Sequence, residues 1–208
     1  MLGRWTTFVT MTAVVLVHAG LAFLGTYALY AVLSLAFRGF NADGFFALVL
    51  MGATLGLTAY LVYPSVARTT TQKMSTLLMA YIVVGSLTSA VTTSNPLWWR
   101  KHFSQLGTYD DLSAYMFNAT LVAGGLLVTT FAVYVGHDMR ELVAAGRLTD
   151  PGAPRAVATR FVLLGGMLAG VGLVPVDVSF WIHTIFASGM AVVFLTLLIR
   201  GRRYFAGL

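Results

Sequence analysis

Long apolar runs separated by short polar stretches set the pattern of this chain. Crossing a bilayer core as a helix takes about 20 mostly apolar residues, and six runs of this kind are present, at residues 8–37, 44–63, 75–93, 113–135, 160–173 and 180–200. The first is long enough to tilt or project, and the fifth is short for a span. Pro64, Pro96 and Pro175 stand at or just after the ends of the second, third and fifth runs. Proline lacks an N–H and biases its predecessor away from the helical region, so each reads as a stop. The apolar core of a signal peptide is about 7–15 residues long. The first run is roughly twice that and continues through Leu33 and Phe37, so it reads as a retained span. The pattern predicts an all-α fold: a polytopic integral membrane helical bundle with six transmembrane helices, forming one domain over residues 1–208.

Charge placement predicts the orientation. With the N-terminus inside, ten of the thirteen Lys and Arg fall on the inner side: Arg4, Arg68, Lys73, Arg140, Arg147, Arg155, Arg160, Arg200, Arg202 and Arg203. Only Arg38, Arg100 and Lys101 fall outside. The positive-inside rule then places both the N-terminus and the C-terminus in the cytoplasm, as expected for a multi-pass protein of the cell membrane.

Composition narrows the classes further. Hydrophobic residues make up 58% of the 208 and charged residues 10%, against about 25% charged in soluble domains. That excludes a soluble enzyme, a disordered tail and a secreted disulfide scaffold. There is no cysteine, hence no disulfide, thiolate nucleophile or Cys-ligated metal. The net charge of +6 sits between apolar spans, so it does not point to nucleic acid.

Helix packing in lipid favours small residues four apart. Gly52/Gly56, Ser86/Ala90 and Gly166/Gly170 have that spacing, and Ala123-Gly124-Gly125 adds to the fourth run. They suit internal packing or the face of a homodimer. No internal repeat is evident, which gives little support to an inverted-repeat transporter.

Two connections are longer than they need to be. In the inner one, residues 137–159, Met139, Leu142 and Val143 lie opposite Arg140 and Glu141. This predicts a short interfacial helix over 138–145, ended by Gly146, in a basic connector held by anionic lipid. The outer one, residues 94–112, carries Trp98-Trp99-Arg100-Lys101, a headgroup-level anchor whose cations are able to meet an anion. Beyond it stand His102, Ser104, Gln105, Thr108, Tyr109, Asp110 and Asp111, more polar groups than a plain connector needs.

Asp177, in the last outer loop, and His183, one turn into the sixth span, belong to the same side. The candidate catalytic groups are therefore His102, His183, Asp110, Asp111 and Asp177. The candidate ligand-binding groups are Trp98, Trp99, Arg100, Lys101, Ser104, Asn118 and His183. No metal-ligand spacing is present, and no metal or other cofactor is expected. The His residues do not pair at one depth on facing helices as a b-type haem requires. Asp111 also suits a helix N-cap. Within the spans, His18 near the middle of the first and Asn118 in the fourth stand out. The scarcity of buried ionisable groups argues against a proton-coupled pump.

His102-Phe-Ser-Gln-Leu-Gly107, then Ser113-Ala-Tyr-Met-Phe-Asn118 and Gly124-Gly125, carry a resemblance. With Gly172, Pro175 and the early His183 of the last span, they resemble a six-span prokaryotic membrane protein family of unknown function, distantly similar to the eukaryotic FRAG/DRAM/Sfk-type membrane proteins. The match covers about Trp98 to Ala187. It implies a prokaryotic inner (plasma) membrane and, through the eukaryotic relatives, a link to lipid handling.

Three functions stay open. The first is a membrane protein with an outer-leaflet polar pocket that binds or organises membrane lipids or supports a membrane-protein partner. The second is an intramembrane lipid-modifying hydrolase using outer His and Asp. The third is a transporter of a small solute or lipid. The hydrolase needs a His and a carboxylate within hydrogen-bond reach, whereas the transporter needs a polar path that continues past Asn118 and His18.

Overall fold

In the computed structural model, which describes residues 4–39, 43–67, 69–108 and 110–205, with side chains from Phe8 onward except Val9, the chain forms six long helices. These are α1 (Arg4–Ala36), α2 (Gly44–Ala67), α3 (Thr71–Thr92), α4 (Leu112–Ala144), α5 (Ala153–Leu173) and α6 (Phe180–Tyr204). Two short 3₁₀ helices, Trp98–Arg100 and Phe103–Gly107, fill the α3–α4 connection, and no strand occurs among the described residues. Each of the six long helices is long and apolar enough to cross a membrane. Arg68 and Tyr109, used in the sequence reading, lie outside the described residues.

Side-chain chemistry explains most helix starts. Thr70 accepts the Lys73 N–H before α3, Asp111 accepts the Ala114 N–H before α4, and Ser179 accepts the Ile182 N–H before α6. Such caps satisfy amide donors that have no carbonyl four residues back. α4 ends on Gly146, whose φ of 71° lets the Arg147 N–H turn back to the Leu142 carbonyl at 2.9 Å.

The helices overrun their expected limits: α1 and α3 each start four residues early, at Arg4 and Thr71, and four other ends also extend. α2 carries Pro64 inside it and continues to Ala67. The Pro64 carbonyl accepts Lys73 Nζ at 2.8 Å, which ties the far side of the kink-prone turn to α3. The expected separate helix over 138–145 is instead the last part of α4. Nothing between His137 and Ala144 breaks a helix, and Met139 is buried there among Leu148, Ala153, Val157 and Tyr204. α5 starts seven residues before Arg160, at Ala153, with Pro154 in its first turn, a position proline tolerates. α6 runs four residues past Arg200, to Tyr204.

α4 is the hub. It packs along α5 on one side and along α3 and α1 on the other. α6 lies against α5, and α2 lies at the far edge beside α1. α2 buries no side chain and α6 buries only His183 and Tyr204. The exposed faces are apolar, as lipid contact demands.

Glycines set the closest approach. Gly125 of α4 and Gly165 of α5 face each other, and a Cβ on either would collide with the other's carbonyl oxygen. The small-residue pairs foreseen at fixed spacing divide differently. Gly170 is covered by the Phe186 ring, but Gly166 has open space beside it, and so do Gly52 and Gly56. Those three glycines are not used in internal packing.

Candidate functional site

The α3–α4 connection folds back over the ends of α4, α5 and α6. The apolar residues of its second 3₁₀ helix hold it down: Leu106 is fully buried with Phe117, Leu121 and Val171, and Trp98 and Ala187 pack at the edge of that cluster. Phe103 stacks edge-on against Phe117 at 5.3 Å and against Trp98 at 6.3 Å. A Cβ at Gly107 would collide with the Asn118 amide, which must shift to admit it, and Asn118 Nδ2 donates to the Gly107 carbonyl at 2.9 Å.

This packing brings Ser104 to His183. His183 Nδ1 lies 2.8 Å from the Val174 carbonyl, which only accepts, so Nδ1 carries the proton. Nε2 then presents its lone pair to the Ser104 hydroxyl at 3.1 Å. The imidazole is 6% exposed. Ser104 and His183 therefore form a polar knot beneath the 3₁₀ turn, and Asn118 separately ties the end of that turn to α4.

The carboxylates stand apart from this pair. Asp111 spends its oxygens on its own neighbourhood. It accepts the Ala114 N–H and Ser113 hydroxyl on one oxygen, and the Ser94 N–H and hydroxyl on the other. Desolvation pushes its pKa up, but these four donors, led by the Ser113 and Ser94 hydroxyls, outweigh it and hold the group at about 2. Asp110 accepts the Tyr115 hydroxyl at 3.1 Å. Asp177 and His102 are exposed. A His–Asp pair of the kind foreseen for a hydrolase is thus not assembled by these hydrogen bonds. Trp99 is exposed with Arg100 over its ring at 5.6 Å, and Lys101 is exposed beside them, leaving the cations at the rim. Among the described residues, no three His, Asp or Glu side chains gather around one point.

Asp111→Ala is expected to cost about 1 kcal/mol through the lost cap and to free the start of α4 from Ser94, measured as a lower unfolding midpoint in detergent. The sign of the pH dependence follows from the shift. The folded-state pKa is depressed from 3.8, so the stabilisation is complete above that value and is lost as pH falls towards about 2. The variant should lack this acid-side loss.

A second feature lies between α1 and α2. A groove of about 500 Å³ runs from His18 and Ser65 at one end to Leu33 and Leu50 at the other. Its walls are mostly aliphatic, among them Leu21, Leu29, Leu57 and Leu61. Two polar rungs cross it. His18 Nδ1 donates to the Val14 carbonyl at 2.8 Å, so Nε2 accepts the Ser65 hydroxyl at 2.9 Å. The Thr54 hydroxyl donates to the Leu50 carbonyl, so Tyr30 donates to Thr54 at 2.9 Å.

His18 lies near the middle of α1, as expected, yet it meets the last turn of α2. Its partner Ser65 is two residues from the end of α2, because the first turns of α1 project beyond α2. The sequence reading did not find this groove. Its signal was the line of small residues Ala22, Gly25 and Thr26 on α1 facing Ala53 on α2. No family model, curated protein or solved structure matches the chain.

Proposed function

We propose that this integral membrane protein is a lipid-binding protein that lodges one acyl chain in the α1–α2 groove, with its basic end in the cytoplasm. The carrying observation is the groove itself. It is an aliphatic slot beside a helix that buries no side chain and is held by two side-chain hydrogen bonds across the seam. From His18 to Leu33 the slot extends about 22 Å at ~1.5 Å per residue. That exceeds the ~15 Å half-thickness of a bilayer core, so it suits one extended chain lying along the seam. An apolar slot at membrane depth has no water to fill it, and a lipid tail supplies the missing contacts. The resemblance noted for residues 98–187 agrees with lipid handling but contributes nothing at the groove.

Gly25 has open space beside it, so Gly25→Leu fills the slot without striking the protein. Phospholipid retained through purification, read by native mass spectrometry, should fall about tenfold in this variant, the effect of ~1.4 kcal/mol. A photoactivatable acyl-chain phospholipid should label α1 and α2 in the parent and lose that labelling in Gly25→Leu. Unchanged retention and labelling in a folded variant would remove the proposal.

The Ser104–His183 geometry favours a second reading, acyl transfer. A serine hydroxyl facing an unprotonated imidazole nitrogen, with the other nitrogen pinned by an acceptor, is the arrangement of a nucleophile and its base. Ser104 Oγ would add to an ester carbonyl while its proton passes to His183 Nε2 and then to the departing alcohol. Water would release the acyl group. Here a fluorophosphonate probe should label the parent and neither Ser104→Ala nor His183→Gln. No labelling of the parent would reject this reading.

A further inference from the structure

The last turn of α6 lies at the basic end of the bundle, and a second cavity opens there. The α4–α5 connection and the last turn of α6 enclose a cleft of about 390 Å³ lined by Asp150, Gly152, Ala156, Arg200, Arg203 and Tyr204. Arg200 and Arg203 are three apart on α6 and so share a face. Tyr204 is buried and forms the floor, with the Arg160 guanidinium over its ring at 5.2 Å. Arg160 is itself fixed from behind by its bond to the Ala156 carbonyl at 2.7 Å.

The charges here do not balance. Two guanidinium groups, Arg200 and Arg203, line the cleft with one carboxylate, Asp150. Asp150 is already engaged, accepting the Gly152 N–H at 2.8 Å to shape the start of α5. Its contact to Arg203 Nε is 3.6 Å, too long for a hydrogen bond, and the Arg203 side chain is 81% exposed. Arg200 is exposed and makes no hydrogen bond or ion pair among the described residues. The N-terminal end of α5 adds to the excess. Its cap residue is Gly152, which offers no side-chain acceptor, and the positive pole of the helix dipole opens into the cleft wall.

We propose that this cleft binds a phosphoryl group, held between the forks of Arg200 and Arg203. Guanidinium forks match phosphate oxygens in pairs, and an exposed Arg203 loosely set against Asp150 is free to turn to them. The phosphoryl group comes from a phospholipid headgroup of the adjoining leaflet or from a soluble phosphate compound. The site shares no residue with the α1–α2 groove and stands or falls separately from it.

The test uses the full-length protein in neutral detergent, followed by its thermal midpoint. Inorganic phosphate is one probe and short-chain phosphatidylglycerol the other. The parent should show a saturable rise. The Arg200→Gln/Arg203→Gln variant should bind about tenfold more weakly, as loss of charged hydrogen bonds implies. Asp150→Asn, which removes the competing charge, should bind more tightly. A rise with phosphatidylglycerol alone assigns the lipid source, and a rise with both assigns a phosphoryl site open to soluble compounds. No rise with either probe, or equal rises in the parent and the double-arginine variant, overturns the proposal.

Discussion

Gly125→Val is expected to be the most damaging single substitution in the bundle. In lipid there is no hydrophobic gain from bringing two helices together, so their association rests on contact between backbones that approach closely. α4 and α5 meet in this way. A Cβ at Gly125 would stand 2.7 Å from the Ala169 nitrogen and closer still to the Gly165 carbonyl oxygen. Both obstacles are backbone atoms of a helix and cannot rotate aside. Overpacking costs about 1–3 kcal/mol where side chains are able to adjust, and more where they are not. Here the cost falls on the longest interface of the hub helix. The effect should appear as a large drop in the unfolding midpoint in detergent. Gly166→Val is the control, since Gly166, one residue along from Gly165, has open space beside it. It should change the midpoint little, and if anything upwards, because valine is a somewhat better helix former than glycine. Equal damage from the two would mean that the α4–α5 contact does not depend on that seam.

That contrast shows which parts of the fold could be read from the chain. The six spans were legible because length and apolarity are one-dimensional properties, and Thr93, Ser113 and Phe180 lie within a residue of the observed ends. The extension of α4 through residues 137–144 was not legible. Polar residues suggested a surface break, but the helix continues because Met139 and the α5 start bury against each other. Spacing alone assigned Gly166/Gly170 to a common interface, whereas a shift of one residue puts Gly165 at the contact. In a helix rich in small residues, one position more is 100° more of rotation, and the sequence does not say which face is inward.

The outer site was legible in membership but not in wiring. Topology placed Ser104 and His183 on one side, and the structure joins them across 79 positions. Topology also made Asp110, Asp111 and Asp177 equal candidates. Only the caps and turns decide that Asp111 serves α4 and Ser94 and that Asp177 stays exposed. The basic cleft escaped notice because Arg200, Arg202 and Arg203 were read only as inner charges. The signal available was Arg200 and Arg203 on one helical face, followed by an aromatic.

His183→Ala is expected to be the second large effect, and it separates two roles for the polar knot. The imidazole is nearly buried and bonds at both ends, to Val174 of its own corner and to Ser104 of the α3–α4 connection. Removing it strands the Val174 carbonyl and the Ser104 hydroxyl, at about 1–3 kcal/mol for a buried unpaired group, and leaves a void beneath the 3₁₀ turn. A total near 3 kcal/mol is a large share of the stability of a small domain. Hydrogen exchange should rise at residues 98–108, which lose their tie to α6. Ser104→Ala breaks only one bond and leaves the imidazole held by Val174, so its midpoint should fall less. That order, His183→Ala well below Ser104→Ala, is what a clasp requires, because the histidine bridges two segments while the serine ends the chain of bonds. A nucleophile and base require a different order. Both variants would lose probe labelling completely whatever their stability, since neither partner reacts without the other. If His183→Ala melts with the parent and exchange at 98–108 stays slow, the histidine is not holding the connection down. The buried ring, oriented by a carbonyl towards a serine hydroxyl, would then have no structural task, and the chemical one would become the better account of it.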